Sequence, residues 1–342
     1  MIQKTIKKTS LRYSDFNKSI VFVFCFYPNL YETNVRIYKL ELTMRIGYPC
    51  INLTLSNPFT STFRLKSFSE DRFKETVKNN LNHLLKILKY NLKNNILFFR
   101  ISSDLIPFAS HPICNFDWES YFNSEFTEIG EFVTKNNMRI SMHPDQFVVL
   151  NSTDEKIVQN SIRELQYHFK VLETMSLSYD AKIQIHVGGV YGNKEAAKSR
   201  FIKNFNSLEE SLKRRTIIEN DDRSYSLNDC LDINKETGIP IVFDTFHHEC
   251  LNNDEKIIDA LISSSNTWKY SLDGFPIIDY SSQSTGERKG KHSKTIEINH
   301  FIKYYKLFNE VFRKEAIDLD VMLEIKDKEK SALLAIEATA NK

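Results

Sequence analysis

Residues 182–219, KIQIHVGGVYGNKEAAKSRFIKNFNSLEESLKRRTIIE, contain the pattern that decides the fold of this chain. Short apolar runs at Lys182–His186 and Thr216–Glu219 predict two buried strands, and residues 194–213 between them have helical spacing. A strand, a helix and a second strand in this order predict parallel strands joined by a crossover helix. Each run ends in a side chain that can bind a metal ion, an imidazole or a carboxylate.

The same unit recurs along the chain from Met44 onward. Strands are predicted at Met44–Tyr48, Ile96–Ile101, Met138–Met142, Lys182–His186, Thr216–Glu219, Ile239–Asp244, Phe275–Tyr280 and Asp320–Glu324. Helices are predicted at Glu70–Asn94, Trp118–Asn137, Asp154–Ser176, Lys194–Lys213, Leu227–Thr237, Asn253–Ser264 and Ile296–Lys314. Alternating strands and helices predict an α/β protein, and eight such strands predict a closed (β/α)8 TIM barrel.

Three regions follow from this pattern. Residues 44–330 have about the usual size of one TIM barrel, roughly 250 residues with some insertions. Residues 1–43 lack clear periodicity and are interpreted as an N-terminal extension, either a lineage-specific arm or a targeting segment, unless translation begins at Met44. Residues 331–342 are interpreted as a C-terminal tail.

Composition narrows the class of protein only modestly. The 46 basic and 44 acidic side chains leave a net charge of +2, so attraction to phosphate depends on local basic clusters. Five cysteines without a CxxC pair predict free thiols in a reducing compartment, which leaves the cytoplasm and the nucleus open. No apolar run approaches the ~20 residues that span a bilayer, so no membrane association is expected.

Candidate metal ligands stand at or just after the ends of the predicted strands. They are His143, His186, Glu219, Asp244, His247, Asp279, His292 and Glu324. In a parallel barrel these strand ends meet at one face, which carries the active site. Carboxylates crowded into a partly dry site repel one another unless cations neutralise them. The pattern therefore predicts two or more divalent ions, zinc or manganese rather than calcium, and favours phosphodiester hydrolysis.

Basic residues near the same face are candidates for phosphate binding. Arg288, Lys289 and Lys291 precede His292, and a role in following a phosphate backbone is weighed against an ordinary solvated loop. Lys326 follows Glu324 by two residues, and we predict that it orients a phosphate. His247 is preferred over its neighbour His248 as a ligand because of its spacing from Asp244.

The chain resembles a known family, the UV damage endonucleases, which are TIM-barrel repair enzymes related to the type IV apurinic endonucleases. The resemblance runs from Met44 to about Lys330. It is carried by RIGYPCINLTL (Arg45–Leu55), FRISSDLIPFASHP (Phe99–Pro112), SMHPDQF (Ser141–Phe147), HVGGVYG (His186–Gly192), IENDDR (Ile218–Arg223), FDTFHH (Phe243–His248), YSSQ (Tyr280–Gln283) and LEIKDKE (Leu323–Glu329).

The resemblance implies an activity and a set of site residues. Such enzymes nick duplex DNA 5′ to pyrimidine dimers, 6-4 photoproducts and abasic sites, with three divalent ions that are commonly manganese. The resemblance thus implies two or three ions per chain here, manganese first with zinc or magnesium as alternatives. All the candidate ligands above except Asp279 fall on the family's metal ligands, and His111 falls on an active-site histidine. Gln146 and Phe147 match a pair that wedges into the duplex, and Tyr48 and Asn52 match residues that line the damage pocket. We therefore predict catalytic roles for Glu219, His111 and Lys326, and no obligate protein partner.

Two positions depart from the family pattern. The family usually has Lys-x-His in the seventh strand, where this chain has Ile277, Ile278 and Asp279. Asp279 still offers oxygen ligands, whereas Ile277 cannot replace a lysine. Phe147 stands where tyrosine is common, which keeps stacking and removes a hydroxyl.

Two other functions remain open at this point. The first is a metal-dependent sugar isomerase or epimerase, because strand-end histidines and acids also suit that chemistry. The wedge pair and the basic run before His292 argue against it, since a small sugar needs neither. The second is a non-catalytic lesion-binding protein, which would follow if the changes in the seventh strand had abolished a metal site.

Overall fold

The computed structural model describes residues 44–56, 60–315 and 317–340, and the predicted extension at 1–43 lies outside them. Eight parallel strands form a closed barrel in sequence order, with the first strand paired to the last. They are β1 (Ile46–Pro49), β2 (Phe98–Ile101), β3 (Arg139–Met142), β4 (Lys182–His186), β5 (Thr216–Glu219), β6 (Ile241–Asp244), β7 (Ile277–Tyr280) and β8 (Asp320–Leu323). The predicted TIM barrel is confirmed.

Helices surround the barrel in the described part of the chain. They are α1 (Glu70–Lys93), α2 (Trp118–Tyr121), α3 (Asn123–Lys135), α4 (Glu155–Thr174), α5 (Lys194–Asn206), α6 (Glu210–Arg215), α7 (Leu227–Thr237), α8 (Thr245–Cys250), α9 (Ile257–Ser265), α10 (Tyr270–Asp273), α11 (Ile298–Glu315) and α12 (Glu329–Thr339). No helix in the described ranges is both long and apolar enough to cross a membrane.

Local signals in the sequence explain where several helices begin and end. The side chains of Ser69, Asp154 and Asn193 each accept a hydrogen bond from a first-turn backbone N–H, at the starts of α1, α4 and α5. Ser226 and Asp229 form a reciprocal capping box at the start of α7. Gly238 ends α7 with a positive φ of 70°, which glycine adopts without steric cost.

Four helical segments differ from the sequence-based prediction. The predicted helix at 118–137 is broken into α2 and α3, and the one at 194–213 is broken into α5 and α6. Helix α8 begins immediately after β6, where a loop was predicted, because the Asp244 carboxylate caps it. Residues 331–342 are not simply a tail, since most of them belong to α12.

Helix α12 is bonded to the loop that follows β1. Glu329 is fully buried, and its two carboxylate oxygens accept hydrogen bonds from the backbone N–H of Leu53 at 2.9 Å and the hydroxyl of Thr54 at 2.8 Å. The loop that follows β1 is therefore held by the helix that follows β8.

The barrel interior is built in three levels. Charged residues lie at the strand starts, where Arg139 donates to Asp320 at 2.7 Å and Lys182 donates to Asp273 at 2.7 Å. Above them an apolar cluster fills the middle: Phe98, Ile217, Val242, Trp268, Ile277 and Met322. The strand ends carry the polar side chains described next. Since strand residues alternate in direction, only every second residue can face this interior.

Candidate metal centre

His143, His186 and Glu219 converge at the carboxyl ends of β3, β4 and β5. Glu219 Oε1 lies 2.8 Å from His186 Nδ1 and 3.5 Å from His143 Nε2, and the two imidazole rings are 5.1 Å apart between centroids. One ligand atom from each of the three lies within 4.8 Å of the others, which is close enough for all to bind one ion. These predicted ligands are therefore brought together.

A second group forms around Asp244, at the end of β6. Asp244, Asp279 and Glu219 also offer oxygens within 4.8 Å of one another, and all three are buried. Asp244 Oδ1 accepts from the backbone N–H of His247 at 2.7 Å, whereas Oδ2 is buried without a hydrogen bond and lies 3.4 Å from His247 Nδ1. A buried carboxylate oxygen without a partner is costly, and a bound cation removes that cost. The donors present thus fit a metal ion at this position.

Three of the four histidines are oriented by backbone carbonyls. The Nδ1 atom of His143 lies 2.8 Å from the oxygen of Pro144, that of His247 lies 3.0 Å from Asn220, and that of His292 lies 2.8 Å from Glu324. A carbonyl can only accept, so Nδ1 carries the proton and Nε2 is left to bind an ion. Hydrogen bonds of this kind fix the orientation of metal-binding imidazoles in proteins.

His247 and His292 extend the centre toward β8. Their rings are 5.9 Å apart, and that of His247 is 6.4 Å from the ring of His186. Glu324 Oε2 lies 3.9 Å from His292 Nδ1. The four imidazoles therefore form a continuous row along the rim.

The electrostatics of the ion-free site favour cations. Burial opposes ionisation of Glu219, yet His186 and His143 outweigh it and hold the pKa of Glu219 well below its usual value. Burial likewise disfavours charged imidazoles, but Glu219 raises the pKa of His186 to about 9 and Asp244 raises that of His247 to about 10. Burial raises the pKa of Asp244 to about 6, although His247 opposes this. Protons on the imidazoles thus supply positive charge that metal ions can replace.

Two residues of the centre were missed by the sequence analysis, Arg100 on β2 and Gln184 on β4. The Arg100 guanidinium donates to Glu324, to Gln184 at 2.9 Å and to both oxygens of Asp279. The Gln184 amide donates to Glu219 and to Asp279 at 2.7 Å. A signal was present for Gln184, which stands two residues before His186 and so faces the same side of β4.

The departures in the seventh strand have distinct surroundings. Ile277 is fully buried in the apolar level below the centre, between residues such as Phe98 and Met322. Asp279 is also fully buried but stands at the upper level, opposite Asp244 in the register of β6 and β7. An apolar residue is thus accommodated where the family usually has lysine.

The predicted wedge pair lies on the same face as the metal ligands. Gln146 and Phe147 are exposed in the loop after β3, three and four residues beyond His143, and Phe147 is 75% exposed. An aromatic ring exposed to that extent beside a polar centre is available for stacking.

Tyr48 and Asn52 lie differently from what the resemblance implies. Both side chains are completely buried, and the Tyr48 hydroxyl donates to Asn91 at 2.7 Å and accepts from Asn52 at 2.8 Å. Asn52 in turn accepts from the backbone N–H groups of Thr54 and Leu55. Neither side chain offers a surface to DNA in this conformation, because Tyr48 is bonded to α1 through Asn91 and Asn52 holds the loop that follows β1.

The remaining predicted residues lie outside the cluster of ligands. His111 is exposed, and its Nδ1 accepts from the backbone N–H of Ile113 at 3.0 Å. Lys326 is exposed beyond Glu324. The basic run forms the end of a hairpin closed by the pairing of Gln283 with His292. There Lys289 donates to the Cys250 carbonyl at 2.8 Å, and Lys291 lies 2.7 Å from Glu287.

The chain is similar to known proteins at two levels. It matches the UV-endonuclease UvdE family over residues 44–340. A UV DNA damage endonuclease of Clostridium perfringens (strain 13 / Type A) is 41% identical over 296 residues, which cover 86% of this chain and 70% of that protein. The crystal structure of SacUVDE is 44% identical with a TM-score of 0.81, covering 87% of this chain and 98% of that one. Endonuclease IV from Thermus thermophilus shares only the fold, at 12% identity and a TM-score of 0.52 over 75% of this chain and 92% of that one.

Proposed function

Since this chain belongs to the UV-endonuclease UvdE family and is a UV DNA damage endonuclease, we propose that it nicks duplex DNA 5′ to pyrimidine dimers and 6-4 photoproducts. We extend the proposal to abasic sites. The observation that carries it is the convergence of His143, His186 and Glu219 beside a buried Asp244 oxygen without a partner, on the face that exposes Phe147.

We assign the roles of metal binding, duplex opening and phosphate contact to different residues according to their positions. One ion would be held by His143, His186 and Glu219, and another by Asp244 with His247, His292 or Glu324. Divalent ions, Mn²⁺ in the first place, would supply a water of lowered pKa and neutralise charge on the phosphate. Gln146 and Phe147 enter the duplex, and the unstacking cost of a few kcal/mol is smallest at a distorted lesion. Arg288, Lys289 and Lys291 follow the phosphates, while His111 and Lys326 act on the phosphate from the rim.

The alternatives have less support. A sugar isomerase or epimerase does not need an exposed wedge or a basic hairpin beside the ligands. A non-catalytic lesion-binding protein is set aside by membership of an endonuclease family and by the intact ligand groups. The similarity to endonuclease IV is one of fold alone, so it favours none of these functions.

The test is a nicking assay. Purified protein is incubated with Mn²⁺, Mg²⁺ or Zn²⁺ and an end-labelled duplex that carries a single pyrimidine dimer, a 6-4 photoproduct or an abasic site. We expect one incision immediately 5′ to the lesion, strongest with Mn²⁺ and absent with EDTA. No incision of any duplex with any of the three ions would count against the proposal.

Glu219→Gln is the variant that tests the metal centre. It keeps the shape of the side chain but removes the charge that both imidazoles face, so we expect bound metal to fall and incision to drop by on the order of 100-fold or more. Glu236→Gln, on the exposed surface of α7, is the matched control and should keep both. Equal incision by the two variants would show that Glu219 holds no essential ion.

A further inference from the structure

Asp279 was predicted to be a metal ligand, but its hydrogen bonds distinguish it from the others. Arg100 Nη2 donates to Asp279 Oδ1 at 3.0 Å and to Oδ2 at 2.8 Å, and Gln184 Nε2 donates to Oδ2 at 2.7 Å. The Asp279 side chain is completely buried. Both of its oxygens are therefore already bonded, and its charge is already paired.

Asp244 is the natural comparison because it is the register partner of Asp279 across β6 and β7. It is equally buried, yet its Oδ2 has no hydrogen-bond partner. Distance alone would let both carboxylates share an ion with Glu219. Their partners separate them, because Oδ2 of Asp244 accepts no hydrogen bond and lies 3.4 Å from Nδ1 of His247, an imidazole that can lose its proton. Both oxygens of Asp279 accept from a guanidinium that cannot be deprotonated, and its fixed charge opposes a metal ion there.

Arg100 also reaches a second acid. Its Nη1 donates to Glu324 Oε1, while Glu324 Oε2 remains on the side of His292. An arginine guanidinium stays charged in proteins, and that of Arg100 is buried and paired with both Asp279 and Glu324. A fixed positive charge thus lies between two acids at the level where metal ions are expected.

We propose that the Arg100 guanidinium serves as a built-in cation that takes the place of a metal ion on Asp279. Asp279 is then the counter-ion of Arg100 rather than a ligand, and the centre takes two divalent ions instead of three. This inference rests on the proposed function in that the ions occupy the same centre. Arg100 acts as a positioning residue, since it holds Asp279 and one oxygen of Glu324 in place.

The main test counts bound manganese by elemental analysis of wild-type protein, Asp279→Asn and Asp244→Asn after equilibration with Mn²⁺. We expect two ions per chain in wild type, two in Asp279→Asn and one in Asp244→Asn. Three ions in wild type, or the loss of an ion in Asp279→Asn, would overturn the inference.

A second test removes the internal charge. In Arg100→Met the Asp279 carboxylate loses its counter-ion, and we expect a third Mn²⁺ to bind. The double variant Arg100→Met/Asp279→Leu should return to two ions. If circular dichroism shows that Arg100→Met is folded and it still binds two ions, the inference is wrong; if it does not fold, Asp279→Asn decides the question.

These counts separate the inference from the proposed function. Wild-type protein that binds three ions and nicks DNA would contradict the role of Arg100 and leave the endonuclease mechanism intact. Protein that binds no divalent ion at all would contradict both. Two ions together with an unchanged count in Asp279→Asn supports the inference, whichever lesions are cut.

Discussion

At the scale of single residues, Phe147 carries a prediction that separates binding from stability. Its ring is 75% exposed, so Phe147→Ala should leave the fold intact and should lose about 1–3 kcal/mol of stacking, roughly 5- to 150-fold in incision at a lesion. Phe147→Tyr should retain incision. Tyr270, 69% exposed in α10 before the amino end of β7, gives the matched control, and Tyr270→Ala should cut normally. Equal losses in the two alanine variants would argue against a wedge.

The imidazoles predict a pH dependence of metal binding. Without ions, His186 and His247 have pKa values of about 9 and about 10, so at neutral pH a metal must displace their protons. Apparent Mn²⁺ affinity should therefore rise with pH up to that range, and calorimetry in buffers of different ionisation enthalpy should show proton release. An affinity independent of pH between 6 and about 9 would contradict these protonation states.

The same pKa values determine how the stability of the ion-free protein changes with pH. Each folded-state pKa lies above the unfolded value of about 6.5. The two protonated imidazoles thus contribute fully to the free energy of unfolding below pH 6.5. That contribution is lost as pH rises through about 9 for His186 and about 10 for His247.

Most residues of the centre could be predicted, and the reason is positional. Glu219 and Asp244 stand at strand ends, and parallel strands bring their carboxyl ends together whatever the loops between them do. Arg100 could not be found in this way, because its role depends on which acids lie across the barrel. The burial of Tyr48 was missed for a related reason, since its partner Asn91 comes from a helix whose packing the sequence does not specify.

At the scale of elements, Asn220 links the ends of β5 and β6. Its amide donates to the Asp244 carbonyl at 3.0 Å and accepts from the Asp244 N–H at 3.0 Å, continuing the strand pairing through a side chain. Asn220→Ala leaves two buried backbone groups unpaired and should cost about 1–3 kcal/mol in the free energy of unfolding, measured by urea denaturation. Metal affinity should fall with it, because the Asn220 carbonyl also faces His247.

A control exists for this variant at a helix end. The Asn94 amide donates to the Tyr90 carbonyl at 2.8 Å, at the half-buried end of α1 far along the chain from the metal ligands. Asn94→Ala should lower stability slightly and leave metal affinity as it is. If both variants affected metal binding equally, the role of Asn220 would be a general one of stability.

The elements with clear boundary signals were predicted accurately, and two helices without such signals were missed. β4, β5 and α7 have the predicted boundaries, because apolar runs and a capping box with a following glycine mark them. Helix α8 was missed because six residues are too few to show a helical period. Helix α12 was taken for a tail because its buried residues are largely small, among them Ala332 and Ala335, and because the groups that anchor it, Glu329 and Ser331, are polar.

At the scale of the whole molecule, the charged level at the amino ends of the strands should contribute to stability and not to catalysis. Lys182 is fully buried, and it donates to Asp273 at 2.7 Å and to the Arg214 carbonyl at 2.7 Å. Lys182→Met leaves Asp273 buried without its partner and should cost about 3 kcal/mol in the free energy of unfolding.

The double variant Lys182→Met/Asp273→Asn tests the cause. Since it removes both charges, it should recover much of the stability that the single variant loses, as measured by urea denaturation at pH 7. Both variants should bind the wild-type number of metal ions. A double variant less stable than the single one would show that the ion pair is not the source of the effect.

The closed barrel could be predicted from the alternation of strands and helices alone. The three levels of side chains inside the barrel could not. Eight strand and helix units allow few other architectures, so the fold class was fixed by pattern and by the usual size of such domains. Which strand residues share a level depends on the register, for example Asp244 opposite Asp279, and on the stagger of the strands around the barrel. Pairing of Arg139 with Asp320 is of this kind, because the two are 181 positions apart.

The contact of Glu329 with Leu53 and Thr54 has a consequence for biosynthesis. The ribosome synthesises the loop after β1 long before α12. The hydrogen bonds of Leu53 and Thr54 to Glu329 therefore cannot form until α12 has left the exit tunnel. Pairing of β1 with β8 imposes the same delay on ring closure. A nascent chain therefore cannot close its barrel before β8 is made, and a chain truncated ahead of β8 would leave one edge of β1 without its pairing partner.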